Sequence, residues 1–192
     1  MIDCYRSLKY YIVADARSSQ KKISVRNVIS DPILRFTILM RLLEYLVNTN
    51  KPKIVILACK FWFRRLSVRL GFSISPNIFG AGLAIVHYGL LVIHPDAKIG
   101  KNCRIHAGVN IGGAGLHVPI ANSRMAATIG DGVYIGPGAK VVGPIHIAAG
   151  CVIGANAVVT KSFDQPDSVI GGIPAKIIKL TRRGDYVIAG AE

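Results

Sequence analysis

The sequence predicts a mainly β protein whose short parallel strands stack as the coils of a β-helix, preceded by a small α-helical cap. Three observations predict it: aliphatic residues recur every six positions from residue 93, glycine follows many of them, and the segment 1–72 lacks the repeat but carries helical patterns. Hydrophobic residues make up 51% of the chain and charged residues 18%, which supplies a core and argues against disorder. We expect a basic helical cap at 1–72, the β-helix at 73–165 with an extruded loop at 114–127, and a C-terminal extension at 166–192.

The cap is predicted from a helical stripe that begins at Ile33. Apolar residues recur at three- and four-residue spacing as far as Leu46, with Asp31 as a natural N-cap and Pro32 in the first turn. A second helix is predicted from about Lys53 to Leu70. We expect both helices to pack on the first coil.

The β-helix is predicted from ten aliphatic residues that share one phase. Each step between them is six residues except one, and the ten are Ile93, Ile99, Ile105, Ile111, Ile129, Ile135, Val141, Ile147, Ile153 and Val159. A period of six fits neither an α-helix nor a simple alternating strand, so the segments are short strands separated by turns. If three hexapeptides close one coil, every sixth side chain points into a common column.

The repeat is interrupted twice. Between Ile111 and Ile129 the sequence has no aliphatic-Gly hexad over the length of one whole coil, which predicts the extruded loop. Ile85 and Ile93 are eight residues apart, so two residues are inserted around His87. A histidine at an interruption is a candidate for chemistry.

The hexads IGKNCR, IGDGVY, IGPGAK and IGANAV, closed by GGIPAKII, resemble the hexapeptide-repeat acyltransferases over roughly residues 73–180. The resemblance implies a left-handed coil, a homotrimer with active sites between subunits, and acetyl-CoA as co-substrate. Within that family the segment IVHYG resembles the serine acetyltransferase-like branch, in which a His so placed is the catalytic base. His87 is therefore the predicted base.

An imidazole suits this task because an alcohol attacks a thioester poorly until a base removes its proton, which contributes roughly 10²–10⁴-fold. The alternative is that His87, six residues before Ile93, points inward as a buried structural histidine. His94, His106 and His146 lie on regular hexads and are weaker candidates.

Coenzyme A contacts are implied by the resemblance alone. Gly113 is expected near the thioester, and Gly136, Gly138 and Ala155 are expected to line the pantetheine arm. Lys176 matches a position that meets the coenzyme-A phosphates, and Arg182 with Arg183 could add charge. The alternative for Lys176 is a solvated lysine at the end of the helix.

The acceptor is predicted from the positions at which this chain departs from the serine acetyltransferases. Serine acetyltransferases carry an acid directly before the catalytic His and an Arg-His-Pro run after the loop, whereas this chain has Val86 and Arg124-Met125-Ala126. The favoured acceptor is therefore a saccharide hydroxyl in capsule, O-antigen or exopolysaccharide assembly, and L-serine is the alternative. Asp31, followed by Arg35, resembles the acid that meets the acceptor, and His117 on the loop is a second candidate; Asp31 is equally explained as a helix cap.

The positive net charge of the first third of the chain is compatible with several kinds of anionic partner. Of the formal net charge of +14, residues 1–72 carry 14 Lys/Arg against 4 Asp/Glu, or +10. We expect no nucleic-acid partner, because base-stacking aromatics and nucleic-acid-binding motifs are absent, and we expect a cytoplasmic protein that can touch the inner membrane surface. No metal site is expected: the zinc-binding gamma-type carbonic anhydrases, the rival hexapeptide family, use an HxxxxH spacing that this chain lacks.

Overall fold

The computed structural model describes residues 1–113, 125–182 and 185–191. Four helices in the described part of the chain precede the β-structure: α1 (Tyr5–Ser18), α2 (Val25–Ser30), α3 (Pro32–Asn48) and α4 (Lys53–Leu70). The two predicted helices are α3 and α4, and α3 begins as expected because Asp31 caps it by accepting hydrogen bonds from the backbone N–H groups of Ile33 and Leu34. Two further helices that the sequence analysis did not predict, α1 and α2, precede them.

Among the described residues the strands form three sheets, which are the faces of the β-helix and are parallel apart from one pair of strands. Sheet A contains β1 (Phe72–Ser73), β3 (Leu91–Ile93), β6 (Asn110–Gly112), β9 (Lys140–Val142) and β12 (Val158–Val159). Sheet B contains β4 (Lys98–Ile99), β7 (Thr128–Ile129) and β10 (His146–Ile147). Sheet C contains β2 (Ala84–Ile85), β5 (Arg104–Ile105), β8 (Tyr134–Ile135), β11 (Val152–Ile153), β13 (Ser168–Gly172) and β14 (Ala175–Leu180), with only the last pair antiparallel.

The predicted aliphatic column is confirmed. Each of the ten in-phase residues has at most 4% of its surface exposed. In sheet C, Ile105 pairs with Ile85 and with Ile135 in register, so like side chains stack from coil to coil. Burying an Ile or Val side chain in this way contributes roughly 1.5–3 kcal/mol, which fixes the phase of every coil.

The long step from Ile111 to Ile129 carries the chain from sheet A to sheet B, one face further around the coil. A regular step between neighbouring faces needs one hexad, so this step contains two hexads' worth of additional chain. Residues 114–124 of the predicted loop lie outside the described residues. Ala126 and Ala127 are buried in the coil, so the regular structure resumes before the predicted end of the loop.

A buried charge cluster joins the helical region to the first coil. The Arg41 guanidinium lies 2.8 Å from an Asp15 carboxylate oxygen and 3.0 Å from Glu44, and it donates to the backbone carbonyls of Phe79 and Gly80. Asp15 also accepts from the backbone N–H groups of Gly82 and Leu83. These bonds fix α1 and α3 against the turn that leads into β2.

Candidate functional site

His87 lies between β2 and β3, where the coil is interrupted, and its side chain is exposed. The strand before it is in register, because the Val86 N–H donates to the carbonyl of Ile105. The prediction of an insertion here is consistent with the register, since the step from Ile85 to its partner Ile105 is two residues longer than a regular coil of three hexads. The alternative of a buried structural histidine is wrong.

The loop after His87 is tied to the end of α4. The Gly89 N–H donates to the Leu70 carbonyl at 2.9 Å, and Gly89 has a φ of 130°, which a residue with a side chain rarely adopts. A Cβ added at Gly71 would lie 3.1 Å from the Gly89 carbonyl carbon, so the two backbones touch. The position of His87 therefore depends on α4 as well as on the coil.

His106, which the sequence marks as a weaker candidate than His87, lies next to His87 in the structure. Its ring centroid lies 6.1 Å from that of His87 and 5.0 Å from that of Tyr134, which in turn lies 5.7 Å from Tyr186 of the C-terminal segment. Burial lowers the pKa of His106, and the Arg104 charge lowers it further. Its buried Nε2 has no hydrogen-bond partner among the described residues, so this polar atom is left unsatisfied in the neighbourhood of His87.

The residues that follow the inward aliphatics of sheet C form one edge of the β-helix. In successive coils this edge carries Val86, His106, Gly136, Gly154 and Gly171. His87 and Ala155 come directly after two of these positions. Because neighbouring strands are about 4.8 Å apart, three steps separate the Ala155 coil from the His87 coil by roughly 14 Å. A linear ligand can run along this edge.

Two of the predicted glycines on this side are required by packing. A Cβ on Gly136 would lie 2.8 Å from the backbone N of Ala155, and one on Gly138 would overlap the Asn156 side chain. Glycine is therefore required at both positions because the next coil approaches so closely. Ala155 and Lys176 are both exposed, and Lys176 lies on β14 at the end of sheet C.

Gly113 lies at a different edge. It follows β6 of sheet A, and a Cβ added to it would lie 2.9 Å from Nε2 of His94. The single chain therefore does not bring Gly113 beside His87. His117 and Arg183 lie outside the described residues.

Both carboxylate oxygens of Asp31 bind structural partners. One carboxylate oxygen caps α3 and the other lies 2.6 Å from the Lys21 ammonium. Partial burial opposes its ionisation, but the hydrogen bonds from Lys21 and from the backbone outweigh burial, so the pKa of Asp31 lies below its usual value. Its neighbour Pro32 lines a cavity of about 410 Å³ together with Tyr88, Arg35 and Arg69. This cavity joins the start of α3 to the His87 loop.

The sequence matches the bacterial transferase hexapeptide family (six repeats) over residues 126–161. It is 31% identical to a serine acetyltransferase of Buchnera aphidicola over 187 residues, 94% of this chain and 65% of the relative. It is 40% identical to a serine acetyltransferase of Mycobacterium tuberculosis over 109 residues, 56% of this chain and 45% of the relative. The crystal structure of serine acetyltransferase from Brucella abortus in complex with coenzyme A superposes with a TM-score of 0.70 at 25% identity, covering 93% of this chain and 68% of that one.

The chain therefore carries the hexapeptide repeat of these bacterial transferases over residues 126–161 and is similar over nearly its whole length to a serine acetyltransferase. The predicted left-handed parallel β-helix with an N-terminal helical region is thereby confirmed. The chain spans about half to two thirds of the length of the curated relatives it matches.

Of the two departures noted in the sequence, one lies beside His87 and the other beside Gly113. Val86, where serine acetyltransferases proper carry an acid, is half-buried and directly precedes His87. Met125, in the stretch that replaces the Arg-His-Pro run, has its backbone carbonyl 3.2 Å from where a Cβ of Gly113 would lie. Among the described residues no group of three or more His, Cys, Asp or Glu could bind a metal ion, and no helix is long and apolar enough to cross a membrane.

Proposed function

We propose that this chain is an acetyl-CoA-dependent O-acetyltransferase in which His87 is the general base and L-serine is the acceptor. The observation that carries the proposal is the exposed His87 at the short interruption of the coil, on the edge that also carries the expected coenzyme-A residues Gly136 and Ala155. The names of the relatives support the activity and the acceptor. The coenzyme-A complex of a relative supports the co-substrate.

The chemistry needs one base and one leaving group. The neutral imidazole of His87 removes the proton of the acceptor hydroxyl as its oxygen attacks the thioester carbonyl. The carbon–sulfur bond then breaks, and the imidazolium returns the proton to the coenzyme-A thiolate. The products are the acetyl ester and free coenzyme A, and His87 is regenerated.

The cavity between α3 and the His87 loop supports a small charged acceptor. Arg69 and Arg35 line it beside Tyr88, and a guanidinium is suited to a carboxylate such as that of serine. Arg35 already donates to the carbonyls of Val28 and Ile29, so Arg69 is the better candidate for contact with the acceptor.

A saccharide hydroxyl, which the sequence favoured, is the second candidate. The relatives reported above give it no support, since they are serine acetyltransferases. Val86 is the specific observation that favours it, because the amine of serine would be buried without an acid at that position, at a cost of several kcal/mol.

A homotrimer would complete the site. Gly113 and His94 lie at one edge of the chain and His87 at another, so the thioester-binding role expected of Gly113 requires a second subunit. We propose that the sheet-A edge of one subunit meets the His87 edge of its neighbour. Mixing His87→Ala with a Gly113→Leu variant would then restore part of the activity through hybrid trimers.

The test follows thiol release from acetyl-CoA by the purified chain, with L-serine in one series and a panel of sugars and glycan oligomers in another. We expect serine-dependent release, and its loss by a factor of roughly 10²–10⁴ in His87→Ala. His146→Ala is the matched control, because His146 is also exposed but lies on β10 of sheet B. Release with a saccharide and not with serine would overturn the acceptor, and an active His87→Ala variant would overturn the base.

A further inference from the structure

Helix α4 presents an apolar stripe to solvent on the face opposite the core. Its inward face is formed by Cys59, Phe63 and Leu70, which are buried. On the other side, residues at helical spacing are well exposed: Ile54 (76%), Leu57 (62%), Phe61 (60%) and Val68 (73%). Trp62 is 60% exposed beside them, with its ring 5.5 Å from that of Phe61. We call these five residues the α4 stripe.

Cations flank four residues of the α4 stripe, Ile54, Leu57, Phe61 and Val68, on both sides, and Trp62 lies just beyond the second flank, in the groove towards α3. At 100° per residue, Lys53, Lys60 and Arg64 lie along one flank and Arg65 and Arg69 along the other. The helix contains no acidic residue, and among the described residues none of these five cations forms an ion pair. The outward face is therefore apolar in the middle and positive at both margins. We call the α4 stripe together with these cations the α4 face.

The acidic residues of the helical region do not offset this charge. Of the four, Asp15 and Glu44 are buried against Arg41, Asp31 is paired with Lys21, and Asp3 accepts a hydrogen bond from the Ser7 hydroxyl in the first turn of α1. Beside Trp62, a groove of about 340 Å³ between α3 and α4 adds further apolar surface from Leu42. An apolar centre with positive margins and an aromatic pair is the pattern of helices that lie in the plane of a membrane surface.

From this pattern we infer that the α4 face docks onto a lipid bilayer that carries anionic headgroups. The stripe would enter the headgroup region, where Trp and other aromatic side chains are favoured. Lys53, Lys60, Arg64 and Arg65 would meet lipid phosphates, while Arg69, at the end of the helix, lines the acceptor cavity. A second copy of the chain fits less well, because pairing two α4 faces would bring their cations together. A nucleic acid would match the cations but leave the stripe exposed to water.

Trp62 makes the inference directly testable, because it is the only tryptophan in the chain. The full chain is mixed with vesicles of phosphatidylcholine alone or of equimolar phosphatidylcholine and phosphatidylglycerol, and both cosedimentation and Trp62 fluorescence are measured. We expect binding only to the anionic vesicles, a blue shift of Trp62 emission, and quenching by brominated lipid. Binding should weaken strongly from about 0.1 M to about 1 M salt, as the Debye length falls from roughly 10 Å to roughly 3 Å.

Separate variants test the contribution of the cations and that of the apolar side chains. Lys60→Gln with Arg64→Gln should weaken binding to anionic vesicles by roughly 25-fold, about five-fold for each cation. Lys101→Gln with Lys179→Gln removes the same charge from exposed positions on the β-helix and should have little effect. Phe61→Ala should also weaken binding, whereas Ile178→Ala, at a site of similar exposure on β14, should not.

Three results would overturn the inference. The first is equal binding to both kinds of vesicle or to neither. The second is anionic binding with unchanged Trp62 emission, which would mean that another surface binds the lipid. The third is concentration-dependent self-association that Phe61→Ala abolishes, which would identify a second copy of the chain as the occupant of the α4 face.

Discussion

Replacing Arg41 with Met is the sharpest test of how the helical region is held against the β-helix. Arg41 is fully buried, and its guanidinium bonds to Asp15, to Glu44 and to two backbone carbonyls. Methionine fills similar space but leaves two carboxylates in the core without their cation. Breaking a buried pair in this way costs about 3–5 kcal/mol.

Three hydrogen bonds that remain moderate the loss without removing it. Asp15 keeps the backbone N–H groups of Gly82 and Leu83, and Glu44 keeps the N–H of Asn77 at 2.7 Å. With a urea m-value of about 2 kcal/mol/M, the unfolding midpoint should fall by roughly 2 M. Glu44→Leu combined with Arg41→Met should cost less than the two single changes added together, because the double variant leaves only one unpaired carboxylate.

Urea unfolding followed by circular dichroism measures this effect, and Arg6→Met is the matched control because Arg6 is exposed on α1. A loss below about 1 kcal/mol for Arg41→Met, within the range of an exposed pair, would refute the reasoning. So would a double variant whose loss equals or exceeds the sum of the single losses.

Three further predictions follow from the site. Asp31→Ala should lower the free energy of unfolding by about 1 kcal/mol through loss of the α3 cap, and Asp31→Asn, which can still cap, should lower it less. Gly89→Ala should cost about 1–3 kcal/mol and lower the rate of thiol release, because φ at Gly89 is 130° beside His87; Gly132→Ala, with φ of 67° and open space around it, should spare the rate. Because the pKa of His106 is lowered in the fold, its contribution to stability is present above about pH 6.5 and is lost as the pH falls through its folded pKa; urea midpoints measured from pH 8 to pH 5 should show this dependence, and His106→Gln should remove it.

The coils could be predicted from sequence because one physical requirement repeats in them. Each in-phase aliphatic must be buried, as Ile105 and Ile135 are, so the hydrophobic period alone fixes which residues face inward and which strands pair. Helices α3 and α4 were predictable for the same reason, through a stripe and a cap. Helix α1 lacked such a stripe: its buried positions include Asp15 and Ser18, whose burial depends on partners far along the chain.

The Arg41 cluster could not be predicted, since nothing local in the sequence relates residue 15 to residue 41 or either to the carbonyls of Phe79 and Gly80. The position of His106 beside His87 could not be predicted for a related reason. In the sequence it looks like His94, since each follows an inward isoleucine. Only the register of sheet C, which pairs Ile85 with Ile105, brings His106 and not His94 beside His87.

The location of the site follows from what a periodic coil permits. In a regular coil of three hexads every inward position is needed for the core, so a reactive side chain can lie only on an outer edge or where the period changes. The coil from Ile85 to Ile105 is two residues longer than the regular coil from Ile135 to Ile153, and the extra two carry His87 out of the column. The step from Ile105 to its partner Ile135 contains the long segment after Ile111, so the other insertion lies in the very next coil. Both interruptions thus flank His106, and this coincidence gives the strongest reason to test His87 and His106 together.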